Sequence, residues 1–208
     1  MVDVSRPYSS VAPTVEGDVL VVLAGTTHPL TGRQVARLAA RGSVAGVAKA
    51  LDRLTHQGLV QRMEAPPASL YTLNRRHVAA PVAEALAGLR AELLTRLRNT
   101  FSTWTVQPVH ASLFGSAARA DGDLDSDIDL FVVRPAAVGS DDPAWSEQLA
   151  SISDVVLAST GNRASIIDFA EQDIPQMLDE SPPVLGELRH DAIDLAGTPL
   201  RELLRHAS

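Results

Sequence analysis

The stretch LFGSAARADGDLDSDIDLFVV, residues 113–133, decides how this 208-residue chain is interpreted. Five aspartates fall within it, and the chain becomes fully apolar directly after the last two, Asp127 and Asp129. Because successive side chains of a strand point to opposite faces, a strand through DIDLFVV places Asp127 and Asp129 on one face. Two carboxylates beside a buried strand repel each other and lose hydration, an arrangement that calls for compensating cations.

The residues that precede these acids fit a site for a triphosphate. VHASLFG predicts a strand ending at Gly115, and a glycine there permits close approach of the backbone to a ligand. The short helical turn SAARA that follows offers the Ser116 hydroxyl and free N–H groups to an anion. Mg²⁺ prefers hard carboxylate oxygens and also takes substrate phosphates as ligands. The stretch therefore predicts a nucleotide site with a metal at Asp127 and Asp129.

GSAAR followed by SDIDL resembles the G-S-x-A-R and S-D-x-D-L signature of DNA polymerase β-type nucleotidyltransferases, especially the small bacterial ones. The resemblance covers about residues 108–170, and the one departure is Ala120, where the family often has glycine. It implies two Mg²⁺ ions, an NTP substrate, and transfer of a nucleoside monophosphate to an acceptor with release of pyrophosphate. The nucleotide-binding residues that it implies are Gly115, Ser116, Arg119 and Ser126.

The same resemblance implies a third carboxylate on the next core strand. NRASIIDFAEQDI predicts that strand, after an amphipathic helix over about residues 143–159, and it supplies Asp168, with Asp173 as a nearby alternative. The expected catalytic and metal-binding set is therefore Asp127, Asp129 and Asp168. If Asp168 points away from the other two, nucleotide binding without transfer becomes the better hypothesis.

A Ca²⁺-binding or merely acidic loop is the alternative interpretation of DGDLDSDID. The EF-hand pattern requires a glycine at its sixth position and a glutamate at its twelfth. The stretch has neither, so the sequence favours the nucleotidyltransferase-like site.

The N-terminal half has a different pattern. It predicts a helix at about residues 16–24, a short helix capped by Thr31, and an amphipathic helix capped by Ser43 and ended by Gly58. Two alternating stretches around a Pro-rich turn then predict a hairpin. This order resembles the winged helix-turn-helix of MarR- and ArsR-like bacterial regulators over about residues 16–76, whose second motif helix enters the major groove of DNA.

Basic and polar side chains on and near that helix are the candidate DNA contacts. Residues 1–108 hold 12 basic and 7 acidic residues, whereas residues 109–208 hold 6 and 18, so only the first half is suited to a polyanion. The alternative is a winged helix used for protein contact or dimerisation. The DNA-binding candidates are Arg41, Ser43, Lys49, Arg53, Arg62, Arg75 and Arg76.

The predicted fold is α/β (α+β) in two parts: a winged helix-turn-helix and a polymerase β-like domain with a small mixed sheet. The expected divisions are a flexible lead-in (1–15), the winged helix (16–77), a connecting helix (78–107) and the nucleotidyltransferase-like domain (108–208). An apolar seam from Val82 to Leu97 on the connecting helix would allow a homodimer.

The composition limits the cellular environments in which we expect the protein. The longest apolar run, Val19 to Ala24, is too short to cross a bilayer, and the sequence shows no signal peptide. The chain has no cysteine, which excludes disulfides and thiolate metal sites. We therefore expect a cytoplasmic protein with no membrane partner.

Three functions follow as hypotheses. The first is a nucleotidyltransferase whose winged helix serves targeting or autoregulation, with a protein hydroxyl, an RNA end or a small molecule as the acceptor. The second is a transcriptional regulator that binds NTP–Mg²⁺ only as a signal. The third is an antitoxin-type partner protein, since small family members act in toxin–antitoxin pairs.

Overall fold

A computed structural model describes residues 1–39, 41–119, 121 and 126–206. Over these residues the chain is mixed α+β, with one sheet of three strands and one of four. It divides into two compact units, one of Pro7–Arg90 and one of Met1–Arg6 together with Ala91–Ser208. Within the described ranges, no helix combines the length and the apolar character needed to cross a membrane.

The unit of residues 7–90 contains a helical triad and a hairpin. Both predicted helix caps are confirmed: Thr31 Oγ1 accepts the Gln34 N–H at 3.3 Å, and Ser43 Oγ accepts the Gly46 N–H at 3.1 Å. The sheet order is β1-β3-β2, and both pairings are antiparallel. The elements are a 3-10 helix (Pro7–Ser10), α1 (Val15–Ala24), β1 (Leu30–Thr31), α2 (Gly32–Leu38), α3 (Val44–His56), β2 (Val60–Ala65) and β3 (Ala68–Leu73).

The expected lead-in and connecting helix have defined contacts. Val4 and Tyr8 are buried within residues 1–15. Helix α4 (Ala80–Ser102) crosses the boundary between the units, and its apolar seam is not uniform, because Leu97 is fully buried while Val82 is 61% exposed.

The second unit is built on a mixed sheet of order β6-β5-β4-β7, in which β5 and β6 are parallel and the other neighbours antiparallel. Its strands are β4 (His110–Phe114), β5 (Ile128–Arg134), β6 (Ala164–Ala170) and β7 (Ile193–Gly197). Its helices after α4 are α5 (Gly115–Arg119), α6 (Pro143–Thr160), α7 (Ile174–Glu180), α8 (Pro183–Asp191) and α9 (Leu200–His206), with a 3-10 helix at Glu171–Asp173.

The two faces of β5 pack into different hydrophobic cores. Leu130 and Val132 join a core with Trp145 of α6, whereas Phe131 and Val133 join a core contributed largely by α7, α8 and α9. Side chains alternate along a strand, so Asp129 shares the second face with Phe131 and Val133. The fold therefore places Asp129 on the side of the sheet that α8 covers.

Candidate functional site

Asp129 lies at the start of β5, between Phe114 of β4 and Ser165 of β6 in the sheet register. Gly115, which follows Phe114, has a left-handed φ of 67°. A Cβ atom at that position would lie 2.6 Å from Asp129 Oδ2, closer than real Cβ contacts allow. Glycine is therefore required both by the turn and by the carboxylate beside it.

The electrostatic surroundings of Asp129 are predominantly negative. Burial raises the pKa of the Asp129 carboxyl, and the nearby charges of Asp127 and Glu187 raise it further, against a hydrogen bond from Ser165 and the charge of Arg119. A carboxylate that is partly desolvated among like charges is poorly compensated by the protein itself. The arrangement is suited to a cation.

Glu187 is a part of this environment that the sequence did not indicate. It lies on α8, and its charge acts on Asp129 although the two are far apart in the chain. Residues around Glu187 carry no motif, and only the packing of α8 on the sheet brings it near β5. Asp127 is exposed and lies directly before β5.

Arg119, the arginine of the GSAAR motif, is held by two carboxylates. Its Nε donates to Asp121 at 3.0 Å and its Nη1 donates to Asp191 Oδ2 at 2.9 Å. These hydrogen bonds raise the pKa of the guanidinium, so it stays charged. A phosphate would compete with both carboxylates for this arginine.

The serines of the motif lie on either side of the acidic stretch. Ser116 is half-buried in α5, and the backbone carbonyl of Ser126 accepts a hydrogen bond from Asn162 Nδ2 at 2.8 Å. Ala120 and residues 122–125 of the predicted acidic loop lie outside the described residues.

The structure does not bring Asp168 to Asp127 and Asp129. Asp168 aligns with Val132 in the parallel register, so it lies on the opposite face of the sheet from Asp129. It is also about 10 Å along the strand from Ser165, the neighbour of Asp129. Asp168 Oδ2 instead forms an ion pair of 2.5 Å with Arg134 Nη1. The alternative, Asp173, lies still further along, after the end of β6.

Two carboxylates among the described residues, those of Asp127 and Asp129, are available to bind a metal ion at this site. Over residues 1–39, 41–119, 121 and 126–206, no group of three histidines or acids is arranged to bind a metal ion. Mg²⁺ is nevertheless commonly held by one or two carboxylates, with waters and substrate phosphates as its other ligands. The pair Asp127 and Asp129 fits that mode of binding.

Several DNA-contact candidates in the other unit form ion pairs within it. Arg53 pairs with Glu16 at 3.1 Å, Arg62 pairs with Glu64 at 2.9 Å, and Arg75 pairs with Glu84. These three guanidinium groups therefore already have acidic partners within the unit, at exposed positions.

Arg41 and Ser43 are also engaged at the start of α3. Arg41 Nε lies 3.6 Å from the buried Asp18, which accepts the Tyr8 hydroxyl at 2.8 Å, and Ser43 caps the helix. Lys49 and Arg76 are exposed and form no ion pair within the described ranges. Sequence reasoning overlooked Arg33, which lines a groove with Val44 and Ser69 between α2, α3 and the hairpin.

Neither a protein-family model nor a curated protein sequence matches this chain.

Proposed function

We propose that the second unit binds a nucleoside triphosphate together with Mg²⁺ at Gly115, Asp127 and Asp129. The observation that carries this proposal is the negative charge around Asp129, which Ser165 and Arg119 offset only in part, directly beside a backbone turn that glycine keeps open. Bound Mg²⁺ would neutralise the triphosphate and relieve the repulsion between the carboxylates. Arg119 would provide a guanidinium for a phosphate oxygen, at the cost of its contacts with Asp121 and Asp191.

The placement of Asp168 favours binding as a signal over nucleotidyl transfer. Its ion pair with Arg134 on the other face of the sheet leaves the Asp127 and Asp129 pair without the expected third acid. We infer that the protein is a regulator in which NTP–Mg²⁺ binding modulates a DNA-binding winged helix. The exposed Lys49 on α3, and Arg33 in the groove beside the hairpin, support the DNA-binding part.

Nucleotide binding is tested by calorimetric titration with α,β-methylene-ATP in the presence and absence of Mg²⁺. We expect binding that requires Mg²⁺ and is lost in Asp127→Asn and Asp129→Asn. Asp154→Asn, an acid on α6 outside the site, is the matched control and should leave the affinity unchanged. Equal affinity with and without Mg²⁺, or in the wild type and the Asp129 variant, would contradict the proposal.

DNA binding is tested with genomic fragments selected by the purified protein. Lys49→Ala and Arg33→Ala should each weaken binding, and the affinity should fall as salt rises because phosphate contacts release counterions. Arg163→Ala, an exposed arginine of the other unit, is the control. Retention of full affinity in both winged-helix variants would refute the groove-binding interpretation.

Glu187 favours nucleotidyl transfer as a second candidate function, because it supplies a further carboxylate near Asp129. In that reaction the acceptor hydroxyl oxygen bonds to the α-phosphorus, and the bond from that phosphorus to the bridging oxygen breaks. Pyrophosphate leaves with that oxygen, and the hydroxyl proton passes to a carboxylate.

Incubation with α-labelled ATP, GTP, CTP or UTP, Mg²⁺ and cell extract separates the two functions. Label on a protein, RNA or small-molecule acceptor, lost in Glu187→Gln while nucleotide binding persists, establishes transfer. Nucleotide binding without any labelled acceptor establishes the signalling function.

A further inference from the structure

Asn162 is a buried amide that contacts the acidic motif directly. The residue is 1% exposed, its Nδ2 donates to the Ser126 carbonyl at 2.8 Å, and its Oδ1 accepts the Val2 N–H at 2.7 Å. A buried amide with both ends engaged holds its partners in fixed positions, because losing either bond leaves a desolvated polar group.

The end of α6 fixes Asn162 itself. Gly161 ends the helix in a left-handed conformation with φ of 73°, and its N–H donates to the Leu157 carbonyl at 2.7 Å. The Asn162 N–H then donates to Thr160 Oγ1 at 3.0 Å. The amide therefore projects from a rigid helix terminus.

Asp127 lies between two backbone groups that this terminus holds. The carbonyl of Ser126 is bound by Asn162, and the N–H of Ile128 donates to the Arg163 carbonyl at 2.9 Å. Asp127 itself is exposed, and these two hydrogen bonds hold the backbone on either side of it.

The second partner of Asn162 comes from the N-terminal segment, residues 1–6. Val4 of this segment is 5% exposed and packs in the core with Leu97 and Trp145. Burial opposes ionisation of Asp3, but hydrogen bonds from Ser5 and Arg6 outweigh it and lower the pKa of the carboxyl. After Arg6 the chain passes into the other unit at Pro7.

We propose that Asn162 is a positioning residue that holds Asp127 for metal binding, and that the N-terminal segment secures Asn162 through Val2. This inference rests on the proposed NTP–Mg²⁺ site and adds a means of regulating it. Displacement of residues 1–6 would remove the Val2 N–H from Asn162 Oδ1 and loosen Asp127. The winged-helix unit is connected to that segment through Pro7, so the segment is a covalent route from one unit to the nucleotide site.

The test compares Asn162→Ala with Gln148→Ala in the full-length protein. Gln148 is the matched control, since its buried amide accepts from the Thr105 N–H at 2.8 Å and donates to the Val106 carbonyl at 3.0 Å, away from the acids. We expect both variants to lower Tm. Only Asn162→Ala should weaken Mg²⁺-dependent α,β-methylene-ATP binding, by about tenfold, as is typical when a group that orients a metal ligand is removed.

Two further measurements separate the parts of the proposal. Val2→Pro removes the N–H that Asn162 accepts, and it should weaken nucleotide binding by a smaller factor than Asn162→Ala. Amide hydrogen exchange at Ile128, whose N–H donates to the Arg163 carbonyl, should accelerate in both variants and stay unchanged in Gln148→Ala.

Each outcome bears on a defined claim. Equal losses of affinity in Asn162→Ala and Gln148→Ala would overturn the positioning role and reduce it to general stability. Unchanged affinity and exchange in Val2→Pro would overturn the role of the N-terminal segment. If the wild type binds no nucleotide, the proposed function fails, and the exchange measurement still decides whether Asn162 holds Asp127.

Discussion

Asp129 and Asp168 lie on adjacent parallel strands of one sheet, yet they have opposite surroundings. Asp168 has a guanidinium partner, Arg134, at 2.5 Å, and both side chains are mostly buried. Burial raises the pKa of Asp129 and the charges of Asp127 and Glu187 raise it further, against a Ser165 hydrogen bond and the charge of Arg119. The protein gives the first carboxylate a direct ion-pair partner, although Asp168 Oδ1 has no hydrogen-bond partner within the described residues, and it offsets the charge of the second only in part.

This difference in charged neighbours distinguishes a structural acid, Asp168, from a candidate ligand-binding acid, Asp129, without use of any sequence motif. A buried ion pair has its countercharge in place before any ligand arrives, so removing one partner mainly affects stability. A carboxylate among like charges destabilises the fold while it is ionised, and a bound metal ion removes this destabilisation by neutralising the repulsion. Mutations at the two positions should therefore change the free energy of unfolding in opposite directions, and only the mutation of Asp129 should weaken ligand binding.

The largest effect is expected for Asp129→Asn. The amide cannot serve as an anionic metal ligand, so Mg²⁺-dependent nucleotide affinity should fall by at least about 100-fold. The free energy of unfolding should rise at pH 7, because the variant lacks the ionised carboxylate whose pKa is raised in the folded state. That gain should shrink as pH falls through the raised pKa and should vanish below pH 3.8, where the carboxyl becomes protonated in both states. Denaturant titration across this range measures it, and a variant less stable than the wild type at pH 7 would contradict the comparison.

The converse is expected for Asp168→Ala. Arg134 would remain largely buried without its partner, which should lower the free energy of unfolding by about 2 kcal/mol. Nucleotide affinity should change by less than about twofold, since Asp168 lies on the other face of the sheet. A large loss of affinity with unchanged stability would show that Asp168 belongs to the site after all.

Gly115→Ala should affect folding and binding together. The added Cβ would lie 2.6 Å from Asp129 Oδ2 at a left-handed φ, so the carboxylate has to move. We expect a loss of about 1–2 kcal/mol in stability and a weaker Mg²⁺-dependent affinity. The control is Gly88→Ala in α4, where a Cβ has open space, and which should stabilise the helix by about 0.5–1 kcal/mol. Equal effects at the two glycines would exclude a special role for Gly115.

The smallest effect on stability is expected for His110, a buried ionisable group that the fold keeps neutral. Burial lowers the pKa of its imidazole, and the ring is held between the Thr198 carbonyl at 2.8 Å and the Ser112 hydroxyl at 2.9 Å. Below pH 6.5 the unfolded chain takes up a proton that the folded protein resists, so stability should decline as pH falls from that value. Thermal unfolding between pH 7.5 and 5.5 should show this decline, and His110→Gln should lack it.

Local signals predicted much of the architecture. Thr31 and Ser43 cap the helices that the sequence predicted, and the hairpin forms between β2 and β3. These features depend on residues a few positions apart, so the sequence alone contains the information. Helices α7 and α8 were not predicted, because their apolar patterns are short and neither has a side-chain cap, although each has a proline in its first turn.

The candidate site was predictable only in part. Gly115, Asp127 and Asp129 follow from a motif within one strand–turn–strand segment, and the structure places Gly115 beside Asp129. Strand alternation showed that Asp168 shares a face with Ile166, but it did not show which face of the sheet that is. The register of β5 against β6 decides this point, and a register is a contact between distant segments.

The sequence by itself determined the local elements, the contrast in charge between the two halves, and the pair of acids at the start of β5. Tertiary structure alone decided which acids meet. It paired Asp168 with Arg134, brought Glu187 to Asp129, and placed Asn162 against Ser126. The physical reason is that alternation and capping act between neighbours in the chain, whereas electrostatic compensation depends on distances set by the packing of the whole unit.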